Sequence, residues 1–166
     1  IQSVKILECI VVDDGSQDST NAILKEFASQ DPRVMVLRNK IPRGAAYARN
    51  LCVRHAQGRY LIIMDADDIN LPGRIESQLA FLDSHPSVGV VGGWIELIDD
   101  NGRYLGTRRY PAHDPDIKRI MLRVAPVANP ATTIRRTCFD QVGGYDDDLV
   151  FAQDLDLWFR LTKITQ

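Results

Sequence analysis

The chain has 166 residues, close to the usual size of one globular domain. Apolar residues make up 45% of the sequence and charged residues 25%, a balance that argues against disorder. Lysine and arginine together number 20, against 22 for aspartate and glutamate, and the resulting net charge of −2 argues against a general nucleic-acid or membrane-surface binder.

The first half of the chain alternates apolar strands with helices. The predicted elements are a buried strand at Glu8–Asp13, a helix at Asp18–Ser29, a strand at Arg33–Leu37, a helix at Ala45–Gln57 that Gly58 ends, and a strand at Tyr60–Met64. In the first helix, Ile23, Leu24 and Phe27 are expected to face the core. Apolar strands that alternate with helices indicate a mostly parallel sheet with helices on both faces.

The second half adds antiparallel strands. A helix carrying Ile75, Leu79 and Leu82 precedes a predicted strand at Val88–Leu97, a hairpin turn at Asp99–Gly102 and a return strand at Arg103–Arg109. Helices are then predicted at Asp114–Arg123 and Leu155–Leu161, with an extended segment at Ala131–Ile134. No internal repeat or linker interrupts the pattern, so we expect a single α/β domain over residues 1–166.

The beginning of the chain carries a separate expectation. Ile1–Leu7 is predicted as the tail of a helix that leads into a core strand. An α/β sheet rarely begins in that way, because its first element is normally a strand. We therefore expect the domain to be truncated here, with its first strand missing.

Cysteine content and apolar run length predict a cytoplasmic protein without a membrane span. Cys9, Cys52 and Cys138 are an odd and scattered set, which fits reduced thiols better than disulfides or a zinc site. The longest apolar runs, such as Leu61–Met64, are far shorter than the roughly 18 residues that cross a bilayer. No basic-then-apolar leader opens the chain.

Aspartate is in excess: 18 of the 22 acidic residues are Asp, and 15 of the 20 basic residues are Arg. Short carboxylates at strand ends suit a hard cation, and arginine suits phosphate, although turns also use Asp. Asp13 and Asp14 follow the first strand, where an open parallel sheet binds its ligands. They could accept hydrogen bonds from a nucleobase or a ribose, or they could simply form a turn before a capped helix.

Asp65, Asp67 and Asp68 follow the predicted strand Tyr60–Met64 and are the strongest indication of a functional site in the sequence. Three neighbouring carboxylates repel one another, and a divalent cation removes that repulsion while leaving sites for phosphate oxygens. The alternative is an Asp cluster that caps the helix after Pro72.

Asp154 and Asp156 lie at the start of the last predicted helix, where the helix dipole favours a carboxylate and simple capping is the alternative. Five arginines near these loops could contact a diphosphate, or could simply lie on a solvated surface: Arg43, Arg49, Arg74, Arg135 and Arg136. No two histidines have metal-ligand spacing, and Ser16 lacks a G-x-S-x-G setting, which disfavours a histidine metal site and a serine hydrolase.

Four blocks of the sequence resemble, in order, those of the family 2 glycosyltransferases. They are VVDDGSQDST, RGAAYARN, GRYLIIMDADD and VGGYDDDLVFAQDLDLWFRL, and they extend from about Glu8 to the end of the chain. The resemblance implies a GT-A fold, a nucleotide-diphospho-sugar donor (a UDP-sugar first), a Mg²⁺ or Mn²⁺ ion, inversion at the anomeric carbon, and a carbohydrate or lipid-linked acceptor. It also implies a role in polysaccharide, lipopolysaccharide or glycan biosynthesis, in the cytoplasm or at the inner face of the membrane.

The resemblance also implies roles for individual residues. The donor would be bound by Asp13, Asp14, Arg49, Asp65 and Asp67, with Asp14 holding the nucleotide base. Asp65, Asp67 and Asp68 match the D-x-D metal block, in which Asp67 and Asp68 would hold the ion. Asp154 matches the general base that takes the proton from the acceptor hydroxyl.

The chain departs from the family pattern at Gln153, where Glu is usual, and it stops just after the block that contains Asp154. We therefore expect a catalytic-domain fragment that is truncated at both ends. Two other functions are consistent with parts of the sequence. One is a sugar-nucleotide-binding module without catalysis. The other is a haloacid-dehalogenase-like phosphatase, which shares the Asp-x-Asp but needs a Thr or Val shortly after it, where Ile69–Asn70 fits poorly.

Overall fold

The computed structural model describes residues 8–166, and the helix tail expected at 1–7 lies outside them. The strands are β1 (Cys9–Asp13), β2 (Val34–Arg38), β3 (Tyr60–Ile62), β4 (Val90–Val91), β5 (Ile95–Ile98), β6 (Tyr104–Arg108) and β7 (Thr133–Arg135). The helices are α1 (Thr20–Gln30), α2 (Ala45–His55), α3 (Arg74–Ser84), α4 (Asp114–Ile120), α5 (Arg136–Gln141) and α6 (Gln153–Leu161), with a 3₁₀ turn at Asn129–Ala131. None of the helices formed by residues 8–166 is both long and apolar enough to span a bilayer.

The strands pair in three groups. β1 and β2 are parallel, with Asp13 beside Arg38 at their carboxyl ends. β7 lies between β3 and β4 and runs antiparallel to both, so β3 and β4 point in the same direction. β5 and β6 form the hairpin that the turn at Asp99–Gly102 predicts, with Gly102 in the left-handed region at φ +77°. The predicted α/β class, with parallel strands and an antiparallel hairpin, is confirmed.

The hydrophobic core joins elements that are far apart in the chain. Its buried side chains come from α2, β3, β7, α5 and α6, and Ile134, Leu157 and Leu161 are almost completely buried. Each such burial contributes roughly 1.5–3 kcal/mol to folding. The packing therefore fixes the start of α6 relative to the end of β3, the two places where the sequence predicts functional carboxylates.

The predicted inner face of α1 is wrong for two of its three residues, whereas Leu24 is half-buried. Ile23 and Phe27 are 49% and 58% exposed, and α1 has no buried residue. α1 contacts β2, which belongs to a two-stranded parallel pair in the described part of the chain. Apolar spacing alone could not reveal how wide the sheet under this helix is.

Several predicted boundaries also differ. α2 ends at His55 with Ala56 as its C-cap, so Gly58 does not cap it. The Arg136 guanidinium donates to the carbonyls of Val53 and Ala56 at the end of that helix. The single strand predicted at Val88–Leu97 is divided into β4 and β5, with two glycines between them. The sequence pattern also missed α5 altogether.

Candidate functional site

One cavity of about 430 Å³ gathers predicted site residues from three separate parts of the chain. Its lining consists of Arg49 from α2, Asp65 after β3, Arg108 and Tyr110 from the hairpin strand and its exit, Ala125 and Val127–Pro130, and Val150–Asp154 at the start of α6. The volume is in the range of small-ligand sites. Arg49, Asp65 and Asp154, predicted from three different sequence blocks, therefore meet in one place.

Arg49 and Asp65 form an ion pair on the wall of this cavity. The Arg49 Nη2 atom lies 2.7 Å from Asp65 Oδ1, and both side chains are partly exposed. The guanidinium also lies 5.6 Å from the centre of the Tyr145 ring. The pair keeps a cation and a carboxylate together where a charged ligand could exchange partners with them.

A buried polar network that the sequence pattern did not indicate supports this wall. The Asn50 Nδ2 atom donates to the Tyr145 carbonyl and to Asp147 Oδ1, both at 2.7 Å, and Asn50 Oδ1 accepts from the Tyr145 N–H. The Tyr145 hydroxyl donates to Asn129 Oδ1 at 2.9 Å. Asn50 follows Arg49 directly, so the network fixes the helix turn that carries Arg49. Asn50 lies in the block RGAAYARN and Tyr145 in the block VGGYDDDLVFAQDLDLWFRL, so the family resemblance could have pointed to both residues.

The environment of Tyr145 also shows that Asp65, after β3, and Asp154, at the start of α6, lie near each other. Burial raises the pKa of this phenol, and Arg49 partly offsets that rise. The negative charges of Asp154 and Asp65 raise the pKa further, so both carboxylates lie within electrostatic range of one hydroxyl. The phenol is therefore neutral and serves as a hydrogen-bond donor.

The start of α6 separates its two acidic residues. Asp154 lines the cavity and its Oδ1 accepts a hydrogen bond from the Leu155 N–H at 2.9 Å. Asp156 instead binds Arg160, with Oδ2 at 2.5 Å from Nη2 and 2.9 Å from Nε. Of the two carboxylates, only that of Asp154 belongs to the cavity lining.

Asp13 lies at the end of β1, outside the cavity lining, and is buried at 3% exposure. Its Oδ1 accepts the Ser16 N–H at 2.8 Å, and the Ser16 hydrogen bonds hold the pKa of this carboxyl below its ordinary value. Its Oδ2 is 3.2 Å from Arg38 Nε but has no hydrogen-bond partner among the described residues. The turn is tight: Gly15 has φ +86°, and a Cβ there would lie 2.9 Å from Pro42 Cδ.

Asp14 holds the loop that leads into α2. Its Oδ1 accepts from Asn39 Nδ2 at 2.6 Å and from the Arg43 N–H at 2.9 Å, and its Oδ2 accepts from the Gly44 N–H at 2.8 Å. Burial alone would raise the pKa of this carboxyl, but the three donors together hold it below its ordinary value. Since a carboxylate has about four acceptor positions, little of its capacity remains for a ligand.

Asp67 and Asp68 are exposed and do not line the cavity, whereas the neighbouring Asp65 does. Burial raises the pKa of Asp68, and the charges of Asp65 and Asp67 raise it further against an opposing contribution from Arg74. The three carboxylates are thus close enough to repel one another. Within residues 8–166, however, no group of three or more acidic, His or Cys side chains is arranged to hold a metal ion.

Three of the five arginines predicted near a diphosphate bind backbone carbonyls instead. Arg74 donates to the Ile63 and Thr132 carbonyls, and Arg136 binds the end of α2. Arg135 donates to the Val88 carbonyl, and it pairs with the first residue of β3, at the end of that strand remote from Asp65. For Arg135 and Arg136 the expectation of a diphosphate contact is therefore wrong, because antiparallel β7 carries them away from the site.

Arg43 is placed differently from these three. Its guanidinium lies 4.1 Å from the centre of the Tyr47 ring, and its backbone N–H binds Asp14. Of the five arginines, Arg49 is the one that lines the cavity.

The sequence matches the family model described as "Glycosyl transferase family 2" over residues 2–143. A similar curated protein is an uncharacterized glycosyltransferase of Methanocaldococcus jannaschii, 29% identical over 91% of this chain and 52% of its own length. The chain thus spans about half the length of the curated relatives that it matches.

Two solved structures resemble this chain closely in fold. The mannosyltransferase PcManGT from Pyrobaculum calidifontis, solved with GDP-Man and Mn²⁺, has a TM-score of 0.66 at 22% identity, over 93% of this chain and 42% of its own. Residues 1–349 of S. aureus TarS have a TM-score of 0.73 at 22% identity, over 96% of this chain and 47% of that one. The same TarS segment has also been solved with UDP, with a TM-score of 0.63. At this identity the likeness shows the fold alone, and that fold is GT-A.

Proposed function

Since the chain belongs to glycosyl transferase family 2, we propose that it transfers a sugar from a nucleotide-diphospho-sugar to an acceptor hydroxyl, with inversion at the anomeric carbon. The observation that carries this proposal is the single cavity lined by Arg49, Asp65 and Asp154. Family membership also disfavours the haloacid-dehalogenase-like phosphatase that the Asp-x-Asp left open.

On the donor side, Arg49 would bind a phosphate oxygen of the donor. It would then exchange part of its contact with Asp65 for a charge-assisted hydrogen bond to the diphosphate. The buried network around Asn50 and Tyr145 would keep the guanidinium in position as the leaving nucleotide gains negative charge.

Asp67 and Asp68 are the residues that we propose hold Mg²⁺ or Mn²⁺, next to Asp65. The raised pKa of Asp68 supports this: its first cause is partial burial, and its second is repulsion from Asp65 and Asp67, which a divalent cation would relieve. Such ions are usually held by one or two carboxylates plus substrate phosphates, so a complete protein cage is not required. When bound, the ion would neutralise charge on the departing diphosphate.

On the acceptor side, Asp154 would take the proton from the attacking hydroxyl. Its side chain lines the cavity and has one short backbone contact, so an oxygen remains to accept a proton. Gln153 lines the same wall and would contribute hydrogen bonds without the charge of the usual Glu.

For the nucleoside, we propose that Asp13 and Asp14 act together at the end of β1. Asp13 Oδ2 is a buried acceptor without a hydrogen-bond partner in the described structure, and a base N–H or ribose hydroxyl would satisfy it. Asp14 would use its remaining acceptor capacity and would also shape the site through the loop it holds, residues 39–44.

The donor nucleotide, the acceptor, the pathway and the cellular location are also proposals. A UDP-sugar is our first donor and a GDP-sugar the second, supported by the nucleotides present in the solved relatives. The acceptor would be a carbohydrate or a lipid-linked glycan in polysaccharide, lipopolysaccharide or glycan biosynthesis. The reaction would take place in the cytoplasm, with peripheral contact at the inner face of the membrane.

The test is a thermal-shift screen of UDP-, GDP-, dTDP- and CDP-sugars, each with and without Mn²⁺, followed by an assay of donor hydrolysis. We expect one nucleotide class to raise Tm, more strongly with Mn²⁺, and to be hydrolysed slowly. Binding without turnover would instead identify a sugar-nucleotide-binding module. If no nucleotide sugar raises Tm, the proposed function is wrong.

A further inference from the structure

An exposed apolar pair forms the rim of the cavity next to the proposed base. Val150 and Phe151 are 80% and 84% exposed, and both line the cavity together with Asp154. A single exposed apolar side chain is ordinary on a protein surface. Here, however, a large aromatic ring lines the same cavity three residues before the carboxylate that would meet the acceptor, so a ligand in the cavity can contact both.

A left-handed residue sets the course of the backbone between this ring and the base. Ala152, between Phe151 and Gln153, has φ +57° and ψ +23°, the left-handed conformation that residues with a Cβ rarely adopt. It is the single non-glycine residue with positive φ in the described part of the chain. Strained backbone of this kind is concentrated at functional sites, where it sets the direction of neighbouring side chains.

The cavity has two aromatic lining residues, and the ring of Phe151 is the more exposed of the two. The Arg108 guanidinium lies 5.3 Å from the centre of the Tyr110 ring and so occupies one of its faces. Phe151 is mostly in solvent. An aromatic face carries partial negative charge and attracts the polarised C–H groups on the apolar face of a sugar ring.

The rest of the lining decides between a sugar and a lipid chain. Beside Phe151 the cavity lining includes the polar residues Arg49, Asp65, Arg108, Asn129, Gln153 and Asp154. Arg49 and Asp65 bind each other and Asn129 accepts from Tyr145, but Arg108, Gln153 and the second oxygen of Asp154 keep hydrogen-bonding capacity. An acyl chain would leave that capacity unused, whereas the hydroxyls of a sugar would satisfy it. We propose that Phe151 stacks on a pyranose ring of the acceptor and that this contact is a specificity determinant; the inference rests on the proposed transferase function.

The experiment compares Phe151→Leu, which keeps an apolar side chain, with Phe151→Tyr, which keeps the aromatic face. Phe27→Leu is the matched control, because Phe27 is 58% exposed on α1 and does not line the cavity. Binding is measured by saturation-transfer NMR with the methyl glycosides of glucose, galactose, mannose and N-acetylglucosamine. Donor binding is measured separately, by the thermal shift with UDP- and GDP-sugars.

We expect the unmodified chain, Phe151→Tyr and the control to give the same saturation transfer to ring protons of at least one glycoside. Phe151→Leu should reduce it at least fivefold without changing the donor thermal shift. Equal signals from Phe151→Leu and the unmodified chain, or no signal from any glycoside, would overturn the acceptor subsite while leaving donor binding intact. If the unmodified chain shows no thermal shift with any donor but still gives glycoside signals, the result would count against the transferase function instead.

Discussion

Aspartates lie at the carboxyl ends of both β1 and β3, but the carboxyl pKa values that are shifted there move in opposite directions at the two ends. After β1, Asp13 and Asp14 are held by N–H donors that lower the pKa of both carboxyls. After β3, burial and neighbouring negative charge raise the pKa of Asp68, and Asp67 beside it is exposed. Both carboxylates at the first strand end accept N–H hydrogen bonds within the protein, whereas the second end pairs Asp65 with Arg49 and leaves Asp67 and Asp68 exposed.

The difference comes from the loops that follow the two strands. The loop over residues 39–44 folds back so that the N–H groups of Arg43 and Gly44 point at Asp14. In the turn after β3, the Asp68 N–H donates to the Asp65 backbone carbonyl at 3.2 Å, and not to a carboxylate. The same residue type at the ends of two strands therefore has backbone N–H partners at one end and an exposed carboxylate pair at the other.

The largest expected effect concerns Asp154, the carboxylate that the protein leaves open in the cavity. Asp154→Asn should lower the transfer rate at saturating donor by about 10²-fold or more, because it removes a positioned proton acceptor without opening a void. Donor affinity by calorimetry should stay the same. Asp156→Asn is the matched control, since Asp156 is bound to Arg160 and does not line the cavity. If Asp154→Asn transfers sugar at the parental rate, Asp154 is not the general base and only caps α6.

The next effect tests the exposed carboxylate pair after β3. Asp67→Ala and Asp68→Ala should each weaken UDP or GDP binding at least tenfold in Mn²⁺, or about 1.4 kcal/mol. The physical reason is loss of a carboxylate that would hold the ion against the diphosphate. Asp100→Ala, at an exposed Asp in the hairpin turn, should bind as the unmodified chain does. Unchanged affinity in both variants, together with no effect of EDTA, would rule out the metal assignment.

A smaller effect is expected at the strand end that the protein satisfies itself. Asp14→Ala leaves the Arg43 and Gly44 N–H groups without their acceptor and should cost about 1 kcal/mol of folding free energy. Discrimination between uridine, guanosine and cytidine donors should fall, while Mn²⁺ dependence stays. Thermal unfolding and a donor panel measure both. Lost Mn²⁺ dependence with base preference retained would exchange the roles of the two strand ends.

The smallest effect is the pH dependence of stability. Because the folded-state pKa values of Asp13 and Asp14 lie below the ordinary 3.8, these groups stabilise the fold above that pH and lose their contribution as pH falls through the lower folded values. Tm should therefore be flat above about pH 5 and fall below about pH 4. Asp14→Asn should flatten that fall and Asp100→Asn should not. An equal acid response in all three chains would show that the Asp14 hydrogen bonds contribute no net stability.

Local sequence was sufficient where local chemistry decides the structure. The hairpin follows from a turn in which Gly102 adopts a positive φ. Apolar runs that end in aspartate located the two strand ends, and the block containing Asp154 located the last helix. These features need only neighbours in the chain, and for that reason the α/β class and three of the cavity residues could be predicted.

Tertiary structure alone decided which of several equivalent residues faces the site. Arg135 and Arg136 looked as suitable for a diphosphate as Arg49, but the antiparallel pairing of β7 turns them toward backbone carbonyls. The exposed Phe151 could equally have been a core residue. Hydrogen-bond partners and burial depend on segments that are distant in sequence, so composition and spacing placed the aspartates, and the folded chain determined which of them are satisfied and which remain open.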